Sequence, residues 1–138
     1  AFFNSRIVMR FGTRLISQSA VLALIVLSVL HLSVVWMGWE TLASYMVFQS
    51  LSMTCIGLCG SNFGAMAMEP VGHIAGTASS LQGFITSIGA VIVGTLIGQS
   101  YTGTTAPLAI GYLCIGLAVL AVVMVVEDGR LFRPLHAA

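Results

Sequence analysis

Four long blocks of this 138-residue chain contain no Arg, Asp or Glu: about residues 15–37, 42–66, 75–101 and 107–126. Each has roughly the 20 mostly apolar residues that a helix needs to cross about 30 Å of hydrocarbon. Period-2 alternation is absent, which argues against a barrel of short strands. Inside a bilayer no water is available to the backbone, so helices are the remaining way to span it. Composition agrees, with 58% hydrophobic and 7% charged residues where a soluble domain carries about 25% charged. That is too little charge for a water-facing surface and far too much apolar content for disorder. A net charge of +1 gives nucleic-acid binding no electrostatic footing. The predicted fold class is an all-α membrane protein with four transmembrane helices, partnered by the lipid bilayer.

A signal peptide is a poor description of the first block. Arg6, Arg10 and Arg14 precede it, but a signal h-region runs about 7–15 residues and ends at a small-residue cleavage site. This block is longer, lacks that site, and is followed by three more. The same arginines set the expected topology. Arg6, Arg10 and Arg14 precede the first span, Arg130 and Arg133 follow the fourth, and loops 38–41 and 102–106 contain none. Basic residues collect on the cytoplasmic side, so both ends are expected to be cytoplasmic.

Polarity divides the four spans. The fourth has no strongly polar side chain, and the first has scattered Ser with Gln18 and His31, so both are expected to face lipid. His31 is expected to reach the interface. The second span carries Gln49, Ser50, Ser52, Thr54, Ser61 and Asn62. The third carries two Gln and many hydroxyls, and each Leu, Ile, Phe or Val favours insertion by only about 0.3–0.6 kcal/mol. The third span is therefore expected inside a bundle.

On the third span Gly76, Ser80, Gly83, Ser87, Ala90, Gly94 and Gly98 recur every three or four residues, forming one helical face. Small residues let helices approach closely, and Gly94-x-x-x-Gly98 is the short form of that signal. The expectation is a packing seam. On the second span Tyr45, Gln49, Ser52, Cys59 and Asn62 form a polar stripe. It reads equally well as the lining of a substrate path or as interhelical hydrogen bonding. Gln49, Asn62, Gln82 and Thr86, mixed with Tyr45, Met53 and Phe84, are the candidate cavity residues, because ligand sites are mostly apolar with a few polar groups. Glu69 and His73 flank Pro70 and Gly72 as a cytoplasmic contact or as caps of the third helix. Cys55, Cys59 and Cys114 lack metal-type spacing and are expected to be small packing residues. No catalytic constellation can be assembled and no cofactor or metal is implied, so the chain is not read as an enzyme.

Residues 62–84 resemble a known family. Pro70, then Ala75-Gly76-Thr77-Ala78-Ser79, then Gly83-Phe84 is similar to the tenth-to-eleventh helix segment of major facilitator superfamily multidrug exporters of the Bcr/CflA type. Arg10, Gly12 and Arg14 match the degenerate second copy of that superfamily's motif A, in the loop before the ninth helix. Ser5, Met9 and Thr13 depart from the motif, and Met9 stands in place of its Asp. The resemblance implies helices nine to twelve of a twelve-helix fold in a bacterial inner membrane. It implies export of amphipathic small molecules in exchange for protons, with the proton-carrying acids in missing amino-terminal helices. The opening Ala1-Phe2-Phe3 reads as the tail of an earlier helix, so a fragment that is inactive alone is expected. The alternative is a standalone four-helix membrane protein, as a scaffold or as a small dimeric transporter. The transporter version needs a membrane-embedded carboxylate, which no span supplies.

Overall fold

The structure, a computed structural model, describes residues 12–127. Helix α1 spans Thr13–Trp36, α2 Leu42–Met68, α3 Ala75–Gln99 and α4 Ala106–Val126, with a short 3-10 segment, Glu69–Ile74, between α2 and α3. No strand occurs among the described residues. The helix ends follow local chemistry. At the end of α1, Met37 and Gly38 donate back to the carbonyls of Ser33 and Val35, both at 3.0 Å. Gly38 adopts φ 70°, the left-handed conformation with which helices commonly stop. Three residues later α2 begins with a capping box: Ser44 N–H donates to Thr41 Oγ1 at 3.2 Å and Thr41 N–H to Ser44 Oγ at 2.9 Å. That reciprocal pair satisfies two backbone donors that a helix start leaves free.

Three helical runs are long and apolar enough to cross a membrane, where the sequence predicts four spans. The difference lies at residues 67–74, expected as a loop. There the chain stays helical, and Leu42–Gln99 is one run of 58 residues. Pro70 sits in the first turn of the 3-10 segment, where its missing N–H costs no helical bond. At 1.5 Å per residue a straight run of that length would reach about 87 Å, nearly three times a hydrocarbon core. It is not straight. Val71, at φ −114° and ψ 21°, leaves the helical region. Gln82 on α3 comes to within van der Waals reach of Gly64 on α2, and Ile97 and Gly98 share a cavity with Tyr45 near the start of α2. The run therefore doubles back, with α3 returning beside α2.

The core sits where α1, α2 and α4 meet. Leu24 on α1, Cys55 on α2 and Tyr112 on α4 form its buried centre, with Leu27, Ile56 and Leu108 packed around them. Gly116 lets α4 approach α1 closely: a Cβ there would lie 2.8 Å from Ile25 Cγ1. Among the described residues, burial is distributed differently from the expected division. α1, predicted to face lipid, is the most buried, with Ser17, Gln18, Ala20, Val21, Leu24, Ser28, His31 and Leu32 all enclosed. α3, predicted to lie inside, has no buried residue. The reason is visible in the hydrogen bonds. The hydroxyls of Ser79, Ser80, Thr86, Ser87 and Ser100 each donate to a carbonyl three or four residues back in the same helix. Side chains satisfied in this way need no interior partner.

Candidate functional site

The polar stripe of α2 faces α1 and α4. Ser52 and Asn62 are buried, and Tyr45, Gln49 and Cys59 are half-buried. Gln49 Nε2 donates to the Tyr112 hydroxyl on α4 at 2.9 Å. Cys59 Sγ lies 3.8 Å from the carbonyl of Ser17 on α1. Along this face the geometry is that of interhelical contact. The remaining cavity candidates lie elsewhere. Met53 is exposed on α2 and Phe84, 63% exposed, on α3. Gln82 and Thr86 line a cavity of about 300 Å³ between the end of α2 and the start of α3, together with Met68, Leu81 and Ile85. The seven candidates thus divide into an inward set (Tyr45, Gln49, Asn62) and an outward set (Met53, Phe84, Thr86), with Gln82 between α2 and α3.

The predicted seam on α3 meets nothing among the described residues. A Cβ added at Gly76, Gly83, Gly94 or Gly98 would have no atom within 4 Å. α3 meets the bundle through other residues, Ile97 against Gly111 of α4 and Gln82 against Gly64 of α2, and not through these glycines. Glu69 and His73 are both exposed, and α3 starts at Ile74 without a side-chain cap. All three cysteines are free; Cys55 is buried, whereas Cys114 is exposed rather than packed. Of the motif residues before the first helix, Gly12 adopts φ 82°, Arg14 opens α1, and Arg10 lies outside the described residues.

Two polar clusters at opposite ends of the bundle escape a helix-by-helix reading. At one end Arg14 Nη1 on α1 pairs with Glu127 Oε2 at the end of α4, 3.2 Å apart. This places the start of α1 and the end of α4 at the same end. The pair borders a cavity of about 430 Å³ lined by Gln18, Phe63, Met66 and the valines of α4. At the other end His31, only 2% exposed, lies 2.9 Å from Glu40 Oε1. The imidazole stacks on Phe48, with ring centroids 4.9 Å apart and planes 6° from parallel. Thr105, before α4, donates its hydroxyl to the same Glu40 oxygen. His31 is enclosed by protein at this end of the bundle, with Glu40 folded back over it. The available signal was the turn itself, since Gly38 reverses the chain between His31 and Glu40.

Comparison with family models, with curated proteins and with solved structures gives no match.

Proposed function

We propose that this chain supplies the last helices of a proton-coupled multidrug exporter of the major facilitator type. The observation that carries the reading is α3. It returns beside a closed α1–α2–α4 core and presents glycines, hydroxyls and the exposed Phe84 outward. A face of that mixed character suits a central cavity or another helix. The outward candidates, Met53, Phe84 and Thr86, are the ones available to an amphipathic ligand, with Gln82 at the edge of the same surface. The resemblance over residues 62–84 falls on the bend and first half of α3, where this surface begins. In this reading the Leu42–Gln99 run crosses a bacterial inner membrane twice, the Arg14–Glu127 end is cytoplasmic, and the His31 end faces outward.

The test is drug susceptibility. The full-length protein, expressed in a bacterium stripped of its main efflux pumps, is expected to raise resistance to amphipathic cations. It should also drive ethidium efflux that an uncoupler abolishes. The 138-residue chain alone should do neither. Unchanged susceptibility with a well-expressed, membrane-inserted full-length protein would refute the exporter reading.

A further inference from the structure

The strongest unassigned feature is the cluster of His31, Glu40 and Thr105. One carboxylate oxygen, Glu40 Oε1, accepts two hydrogen bonds, from His31 on α1 and from Thr105 at the N-cap of α4. The carboxylate itself belongs to the turn that leads into α2. Three helices are tied at one atom. Thr105 marks how committed the arrangement is. A threonine at an N-cap usually turns its hydroxyl onto the helix's own free N–H groups. Here it makes no such cap bond and is given to Glu40 instead.

Charge decides what the cluster binds. The side chains of His31 and Glu40 are 3% and 20% exposed. A carboxylate withdrawn from water to that extent needs a cationic partner. The described arginine, Arg14, is at the opposite end, paired with Glu127. The other groups facing His31 are uncharged: Tyr45 on α2, with ring centroids 6.1 Å apart, and Phe48. Just after α3, Tyr101 lines the adjoining cavity with Tyr45 and Thr105, the N-cap of α4. The nearby source of positive charge is therefore a proton on His31.

We propose that His31 and Glu40 form a proton-binding latch across the ends of α1, α2 and α4. An ionised Glu40 accepts only, so His31 holds N–H at Nε2 and keeps Nδ1 for the incoming proton. Solvent supplies that proton to Nδ1, the imidazole becomes cationic, and the Nε2–H bond to Glu40 becomes an ion pair. Binding the proton draws the 37–41 turn onto α4. Losing it leaves a weaker neutral bond and frees the turn. The adjoining cavity of about 360 Å³, lined by Tyr45, Tyr101, Thr105 and Leu108, widens or narrows with it. The latch does not depend on the exporter reading, and its test measures closure rather than efflux.

The chain carries its own reporters. Its two tryptophans, Trp36 and Trp39, flank the turn and are both exposed. In lipid nanodiscs, their emission is followed between about pH 8 and about pH 5, the range in which histidine changes charge. The expected result is one sigmoidal change, retained in a H73N/H136N variant and lost in H31N and in E40Q. T105V should keep the step with reduced amplitude. A flat wild-type trace with helicity intact overturns the latch, as does a step that survives H31N. Should H31N fail to fold, the H73N/H136N variant is labelled with ¹³C-histidine. Its single described ring signal, that of His31, must then titrate together with the tryptophan emission. Titration at a different pH overturns the proposal.

Discussion

Replacing Gly116 with Ala tests the α1–α4 contact on which the core depends. The added Cβ would lie 2.8 Å from Ile25 Cγ1, 3.7 Å from its Cδ1 and 3.9 Å from its Cα. An ordinary carbon–carbon contact is about 3.5–4.0 Å, so either Ile25 or the helix must move. Cγ1 sits next to the branch of the side chain and cannot swing clear as a chain end can. Overpacking of this kind costs roughly 1–3 kcal/mol. Against it stands the gain of about 1 kcal/mol from replacing a helical Gly by Ala. Gly94→Ala isolates that gain, because its Cβ meets no atom within 4 Å. The propensity contribution is common to both variants, so G116A should be less stable than G94A by roughly 1–3 kcal/mol. Equilibrium unfolding in mixed detergent micelles measures the difference. A second cycle with Ile25→Ala, which removes the two offending atoms, should recover most of the G116A penalty. Equal stability of G116A and G94A, with no coupling to Ile25, would refute the close α1–α4 approach.

Tyr112→Phe removes the acceptor of Gln49 Nε2, and Gln49 Oε1 is already buried without a partner. The expected loss is about 0.6 kcal/mol, rising toward about 1.7 kcal/mol, read by the same unfolding assay. On the proposed topology, a reporter active only in the periplasm should be silent when fused after Ala138; strong activity would reverse the topology. If the exporter reading holds, single cysteines at Phe84 and Thr86 of the full-length protein should react with a water-soluble maleimide and be protected by substrate, while cysteines at Ser52 and Asn62 stay unlabelled. Reaction at Ser52 and Asn62 would show that the α2 stripe opens to water. Efflux with Phe84 and Thr86 unlabelled would remove them from the cavity.

The existence and approximate limits of the helices were legible because long uncharged runs have few alternatives in a bilayer. The continuity of the 67–74 segment was not. Pro70 and Gly72 together read as a loop, yet a proline in a first turn is compatible with helix, and within 69–74 Val71 and Ile74 depart from helical geometry. The polar stripe of α2 was legible as a stripe. Its direction was not, because Gln49 finds its partner in Tyr112, 63 residues away.

One contribution to the different burial of α1 and α3 lies in the kind of polar group each carries. Counting polar residues ranked α3 above α1, but hydroxyls and longer polar groups make different demands. Ser and Thr bond the carbonyl one turn back, as Ser80 and Ser87 do on α3, and need no partner from another helix of this chain. An imidazole or a glutamine amide seldom has that recourse within its own helix. His31 therefore requires Glu40 and Thr105, and Gln18 is enclosed between helices. Two such residues place α1 at the centre more firmly than a row of hydroxyls places α3. The same weighting accounts for α2, where Gln49 and Asn62 turn toward α1 and α4 while Ser50 and Thr54, the latter bonded to the Ser50 carbonyl at 2.8 Å, lie exposed. Self-bonded hydroxyls fix no direction, since Ser17 and Ser28 bond the carbonyls of Thr13 and Leu24 and are nonetheless buried; His31, Gln49 and Asn62 are the side chains that tie their helices to the core.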